Sequence, residues 1–174
     1  MPHIICHGVA LEVRHIALPD TNPALAPLVF LHEGLGSVAM WTQRGVDWPL
    51  AVCQATGRSG WVYSRRGYGQ SDSVPDVRGS NALRPDYLQQ EAWQVLPEFL
   101  AQAGIQKPVL LGHSDGGSIA LLYASRYPVQ ACIAMAPHVI VEDISIAAIE
   151  VAKTAFEQSH LRQRLAPFHA DVDT

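Results

Sequence analysis

Five residues carry the strongest chemical signal in this chain: Gly112-His113-Ser114-Asp115-Gly116, a G-x-S-x-G pattern. A serine hydroxyl is a poor nucleophile at neutral pH unless a neighbouring base takes its proton. What the pattern supplies is exposure. A serine on a very sharp strand-to-helix turn has its hydroxyl raised above a sheet, beside a helix N-terminus that favours developing negative charge. The backbone there is strained and doubles back, so side chains at 112 and 116 would clash, and Gly117 adds room for the helix to pack closely. Three fixed positions recur by chance, so the pattern gains weight only with a strand before it and a helix after it. Two other uses compete: Ser114 as a helix N-cap, or the turn as a phosphate cradle. The phosphate-binding patterns are absent, since no Gly-Lys-Ser/Thr follows and no G-x-G-x-x-G spacing occurs.

The surrounding sequence supplies the required context. Val109-Leu110-Leu111 is a short apolar run that reads as a buried strand, and a helix is predicted from about 116 to 126, stopped by Pro128. The same alternation holds elsewhere. A hairpin is predicted over 4–17 around His7-Gly8. Strands are predicted at 28–31, 61–64 and 131–136, and helices over 46–56, 86–103 and 144–160. Pro97 lies inside the 86–103 pattern and announces a kink or an early end. Strands alternating with helices imply right-handed crossovers and a mostly parallel sheet, with ligands at the carboxyl ends of the strands. The glycine-rich turns after 31, 64 and 111 all fall at such ends.

Composition narrows the function class. The chain has 174 residues, 48% of them hydrophobic and 16% charged, with a formal net charge of −4. That is one domain's length with ample apolar surface to bury. No dense Lys/Arg run marks a nucleic-acid binder, and no apolar stretch has the ~18–20 residues of a membrane span. The N-terminus lacks the pattern of a signal peptide, so a cytoplasmic location is expected. Cys6, Cys53 and Cys132 are odd in number and widely spaced, as for reduced thiols. The eight histidines show no metal-ligand spacing, so neither a metal nor a cofactor is expected.

Three segments in order resemble the N-terminal part of an α/β-hydrolase: Leu28 to Ser37, Trp61 to Asp72 with Arg66-Gly67-Tyr68-Gly69-Gln70-Ser71, and Pro108 to Pro128. The resemblance implies an α/β fold whose mostly parallel sheet is incomplete at the C-terminus. It implies Ser114 as nucleophile, the backbone N–H of Asp115 as one oxyanion donor, and Gly34 or Leu35 as the second. Relatives on this fold that use an Asp nucleophile carry it at the serine position, whereas Asp115 comes one residue late. Its carboxylate is expected to be a first-turn helix charge. Glu33 replaces a glycine of the common oxyanion loop; it either contacts substrate or is held by Arg65 or Arg66. His32 buttresses that loop and is not the base, and His113 is structural. The implied reaction is hydrolysis of an ester or related acyl bond in a small molecule, with carbon–carbon bond hydrolysis and thioester cleavage open on the same residues.

The resemblance also demands an acid and a histidine after the serine. His138, His160 and His169 are the histidines that follow, and His138 sits directly after a strand. Glu142 and Asp143 are more simply charges that open a helix. At about 30 residues per βαβ-type unit, two further units would need roughly 60 more residues. The expectation is therefore a fragment: residues 1–140 as the start of the hydrolase core, residues 141–174 as the start of a helical cap, with the acid and histidine outside the chain. A different class of function follows if so, a catalytically inactive fragment that self-associates or binds a partner through the sheet edge exposed after 131–136.

Overall fold

The computed structural model describes residues 2–173. Strands β1 (His3–Cys6) and β2 (Val9–Ile16) form the expected hairpin. Cys6 pairs with Val9, and the two residues between them, His7 and Gly8, have φ of 49° and 78°. Two left-handed residues in a row make the turn whose twist matches that of the strands. After β3 (Leu28–Leu31) come a single 3₁₀ turn at Ala39–Trp41 and a small hairpin of β4 (Thr42–Gln43) and β5 (Val46–Asp47). This hairpin occupies the start of the helix predicted over 46–56. Helix α1 begins at Trp48 because Asp47 caps it, its Oδ1 accepting the Leu50 N–H at 3.1 Å with Pro49 in the first turn, and it ends at Thr56, where Gly57 turns left-handed at φ 65°.

The sheet continues with β6 (Gly60–Tyr63), β7 (Val109–His113) and β8 (Ala131–Met135). Its order is β1-β2-β6-β3-β7-β8. The first two pairings are antiparallel and the remaining three parallel. The architecture is thus a mostly parallel mixed sheet with helices, as the sequence implied. Strand alternation divides the core between two faces. Val29, Leu31, Tyr63 and Leu110 pack with Leu96, Phe99 and Ile119. Leu28, Phe30, Val62 and Leu111 pack with Cys53 of α1 on the other face.

Pro97 does what its chemistry requires. The segment over 87–102 is α2 (Tyr87–Gln90), a wide π turn at Glu91–Val95, and α3 (Leu96–Gln102). Proline has no N–H to give to the carbonyl four residues back, which is that of Trp93. The Tyr127 hydroxyl donates to that carbonyl instead, at 3.2 Å. Helix α4 (Asp115–Ala124) follows β7 directly. Beyond β8 lie α5 (Asp143–Gln158) and α6 (Leu161–Leu165). Helix α5 buries no residue, but the chain then returns to the core: Leu165 is buried and the Ala170 N–H donates to the Gly69 carbonyl at 2.6 Å. Among the described residues no helix is long and apolar enough to cross a membrane.

Candidate active site

Ser114 joins β7 to α4 with φ 54° and ψ −117°. A non-glycine residue at that φ is strained, and such strain persists only where neighbours over-determine it. The glycines around it explain how. A Cβ at Gly112 would stand 2.0 Å from the Gly116 carbonyl oxygen, as the expected crowding requires. A Cβ at Gly116 would instead meet the carbonyl oxygen of Leu31, also at 2.0 Å, so this glycine lets α4 approach β3. At Gly117 it would lie 3.1 Å from the Met135 carbonyl oxygen. The Ser114 N–H donates to that same Met135 oxygen at 2.9 Å, and the Ser114 carbonyl accepts from the Ser118 N–H at 3.1 Å.

The serine hydroxyl has a partner. Ser114 Oγ lies 2.9 Å from His138 Nε2. The backbone of His138 is held in turn by Ser118, whose Oγ accepts its N–H at 2.8 Å and faces its carbonyl at 3.3 Å. His138 reaches the site because β8 runs parallel beside β7 and ends at the same level, with His113 paired to Met135. The sequence carries one signal for it, a histidine just past the end of a strand; the pairing itself is a tertiary contact. His160 and His169 are elsewhere. His160 faces Gln163 on the surface, and His169 Nδ1 accepts the Gly69 N–H at 3.0 Å. Glu142 and Asp143 open α5, both exposed.

Asp115 is the acid of the first turn of α4, as expected, but its side chain is also buried, accepting the Tyr87 hydroxyl at Oδ2, 2.9 Å away. Arg65 Nη2 stands 3.5 Å from that oxygen, and Oδ1 is 4.0 Å from His138 Nε2. A buried carboxylate needs such partners, because desolvating an unpaired charge is costly. Gly34 lies against it: a Cβ there would be 3.4 Å from Asp115 Oδ2. The 33–36 loop and the start of α4 are therefore neighbours. Leu35 follows with its side chain exposed, and its backbone holds the ring of His169.

The loop is set by His32, which is fully buried. Its Nδ1 meets the Glu33 carbonyl at 2.7 Å and its Nε2 accepts the Arg65 N–H at 3.0 Å. One ring nitrogen donates and the other accepts, which defines the neutral form. Burial, and then the Arg65 charge, hold its pKa well below the ordinary histidine value. His32 thus buttresses the loop, as expected. Arg65 binds the Glu33 carbonyl, at 3.0 Å, while the Glu33 carboxylate faces His113 Nδ1 at 3.6 Å. His113 is half-exposed rather than buried in the turn. The loop after β6 is tied down by buried Glu12, whose Oε2 accepts from Ser64 Oγ at 2.7 Å and from the Gln70 N–H at 2.9 Å. Among the described residues no cluster of His, Cys, Asp and Glu could hold a metal ion.

Comparison with known proteins agrees with this architecture. The sequence model described as alpha/beta hydrolase fold matches residues 26–159. A bifunctional esterase/perhydrolase of Acinetobacter calcoaceticus is 30% identical over 111 residues, covering 63% of this chain and 35% of the relative. A proline iminopeptidase of Lactobacillus delbrueckii subsp. lactis is 34% identical over 102 residues, covering 59% and 32%. The chain thus spans about a third of the length of the curated relatives it matches. A structure from work on carboxylesterases of the thaumarchaeon Nitrososphaera gargenis superposes with a TM-score of 0.71 at 19% identity, over 95% of this chain and 56% of that one. That likeness concerns the fold alone. With a family match across residues 26–159, most of its length, the chain belongs to the α/β-hydrolase fold family.

Proposed function

We propose that the chain is the Ser114-bearing part of a serine-type hydrolase acting on an ester or related acyl bond of a small molecule. One observation carries this reading: a serine on a strained turn whose Oγ is 2.9 Å from His138 Nε2. Ser114 Oγ attacks the carbonyl carbon while its proton passes to His138 Nε2. The carbonyl oxygen gains the charge, facing the N–H of Asp115 and that of Gly34 or Leu35. Collapse of the adduct breaks the bond to the leaving group, which takes the proton from His138. Water then attacks the acyl-serine by the same route, giving acid and free enzyme. The Asp115 carboxylate, 4.0 Å from Nε2, stabilises the imidazolium electrostatically. The sequence alone points to a histidine outside the chain; this geometry supports a base within it.

Residues 1–140 then form the core that presents the site, and residues 141–174 begin a helical cap over it. The relatives, named for esterase and iminopeptidase activity, support acyl chemistry without choosing between ester and amide. The test is covalent labelling of the purified chain with an alkyl fluorophosphonate, read by mass spectrometry against Ser114→Ala. Stoichiometric labelling that the variant loses is the expected result; a folded chain that stays unlabelled overturns the reading.

A second reading, an inactive chain that self-associates, draws on a different observation. Strand β8 is the last in the sheet, and Ile133, Val139, Ile140, Val141 and Ile144 are exposed on and just after it.

A further inference from the structure

A cleft of about 250 Å³ lies at the ends of β7 and β8, bounded by the loop after β3 and the β4–β5 hairpin. Its walls include Trp41, Trp48, Met40, Met135, Glu33 and His113. Three of these adjoin the reaction centre. His113 precedes Ser114, the Met135 carbonyl accepts the Ser114 N–H, and Glu33 precedes the candidate oxyanion donor Gly34.

The aromatic part of the walls is held in place by stacking and by the core. The Trp41 and Trp48 rings stack at 5.8 Å between centroids, 14° from parallel. Trp41 rests edge-on against fully buried Phe30 at 5.7 Å. Trp48 opens α1 directly after Asp47, which is pinned by Arg14 at 2.5 Å, and is 39% exposed. A large aromatic held from behind and open in front is a preformed contact surface, and thioethers beside it suit a ring edge. The volume admits one ring, below the ~300–1,000 Å³ of a site for a whole drug-sized ligand. The single acid among these walls is Glu33. Its charge and the negative faces of the indoles favour the same thing, a positively charged or donor-bearing substituent.

We propose that this cleft is the subsite for one arm of the substrate, a single aromatic ring carrying a protonated amine or similar hydrogen-bond donor directed to Glu33. The proposal rests on Ser114 as the reacting residue, and its test separates the two. Binding is measured on the Ser114→Ala chain, where no reaction intervenes. Four tryptophans give four indole N–H signals, assigned by single Trp→Phe variants. Benzylamine shifts the Trp41 and Trp48 signals saturably and leaves those of Trp61 and Trp93 in place. Cyclohexylmethylamine, with the charge but no aromatic ring, and benzoate, with the ring but opposite charge, bind at least about tenfold more weakly. Glu33→Gln abolishes the preference for benzylamine over benzyl alcohol. Equal binding of all the probes, or shifts confined to Trp61 or Trp93, overturns the proposal.

In the Ser114 chain, labelling by an aminomethylphenyl phosphonate is compared with labelling by the alkyl reagent. Trp48→Ala lowers the aryl-to-alkyl rate ratio about tenfold, and Glu33→Gln, which leaves the ring stack in place, lowers it as well. An unchanged ratio in both variants overturns the subsite. If neither reagent labels Ser114, the nucleophile assignment fails, and the indole shifts still decide the cleft.

Discussion

At the scale of single residues, Ser114 and His138 stand or fall together. If one proton moves between them, each is useless without the other. Ser114→Ala and His138→Gln should each lower kcat by on the order of 10⁴–10⁶, and the double variant should lose little more. Steady-state rates on an activated ester, with folding checked by circular dichroism, test this; additive losses would separate the two roles. His32 makes a different and opposite use of an imidazole. Burial and Arg65 hold its pKa well below the ordinary value, so it stays neutral in the folded chain. Just below pH ~6.5 the unfolded chain binds a proton that the folded chain does not, so stability rises with pH in that window and is lost as pH falls through it. Burial shifts His15 and His169 in the same direction. Urea midpoints from pH 5 to 7.5 should therefore climb with pH. His32→Gln should be less stable at pH 7.5 and climb less steeply. Parallel curves would mean that His32 does not remain neutral.

At the scale of elements, the strand–turn–helix around Ser114 is first of all a packing device. Gly112→Ala and Gly116→Ala each drive a methyl into a backbone oxygen at 2.0 Å, which no rotamer change relieves. Each is expected to cost upwards of ~3 kcal/mol, measurable as a fall in denaturation midpoint, with Ser114 labelling lost at the same time. Tyr127→Phe should cost about 1–2 kcal/mol by leaving the Trp93 carbonyl that Pro97 cannot serve without its partner. This is also where sequence legibility divides. Strands β3 and β7 are readable because runs of four and three apolar residues, each between a proline and a glycine-containing turn, leave few alternatives. The turn at 112–117 is readable because Gly112 answers a local steric demand, the Gly116 carbonyl; Gly116 and Gly117 answer instead to Leu31 of β3 and Met135 of β8. Pro97 foretold a disturbance, but the π turn depends on Tyr127 from another segment. The β4–β5 hairpin is too short for any period to register. The burial of Asp115 depends on Tyr87 and Arg65, both distant in sequence, and the reach of His138 depends on the register of β8 against β7, a pairing between segments that no local pattern fixes.

At the scale of the whole molecule, the two sheet edges differ. β1 ends the sheet on one side as the outer strand of a hairpin, with α3 against it: the Gln102 amide donates to the Ile5 carbonyl at 3.1 Å. β8 ends it on the other side, pairing only with β7 among the described residues. Ile133 on it is 46% exposed, and Val139, Ile140, Val141 and Ile144 beyond it are each more than 70% exposed. Natural edge strands are guarded by charges, prolines or covering segments, and an unguarded apolar edge pairs with another chain. Neither Lys nor Arg occurs between Gln130 and Val151, a stretch whose only charges are Glu142, Asp143 and Glu150. The isolated chain should therefore associate in a concentration-dependent way, seen as a rising mass in light scattering. Ile133→Lys, which puts a charge on the edge itself, should return it to a monomer, whereas the same change at exposed Leu83, far from the edge in sequence and outside the sheet, should not. A wild-type chain that stays monomeric with cooperative unfolding would show that β8 is adequately protected by the segment following it. Association that survives Ile133→Lys but yields to Ile140→Glu would move the contact from the strand's backbone to the apolar residues beyond it.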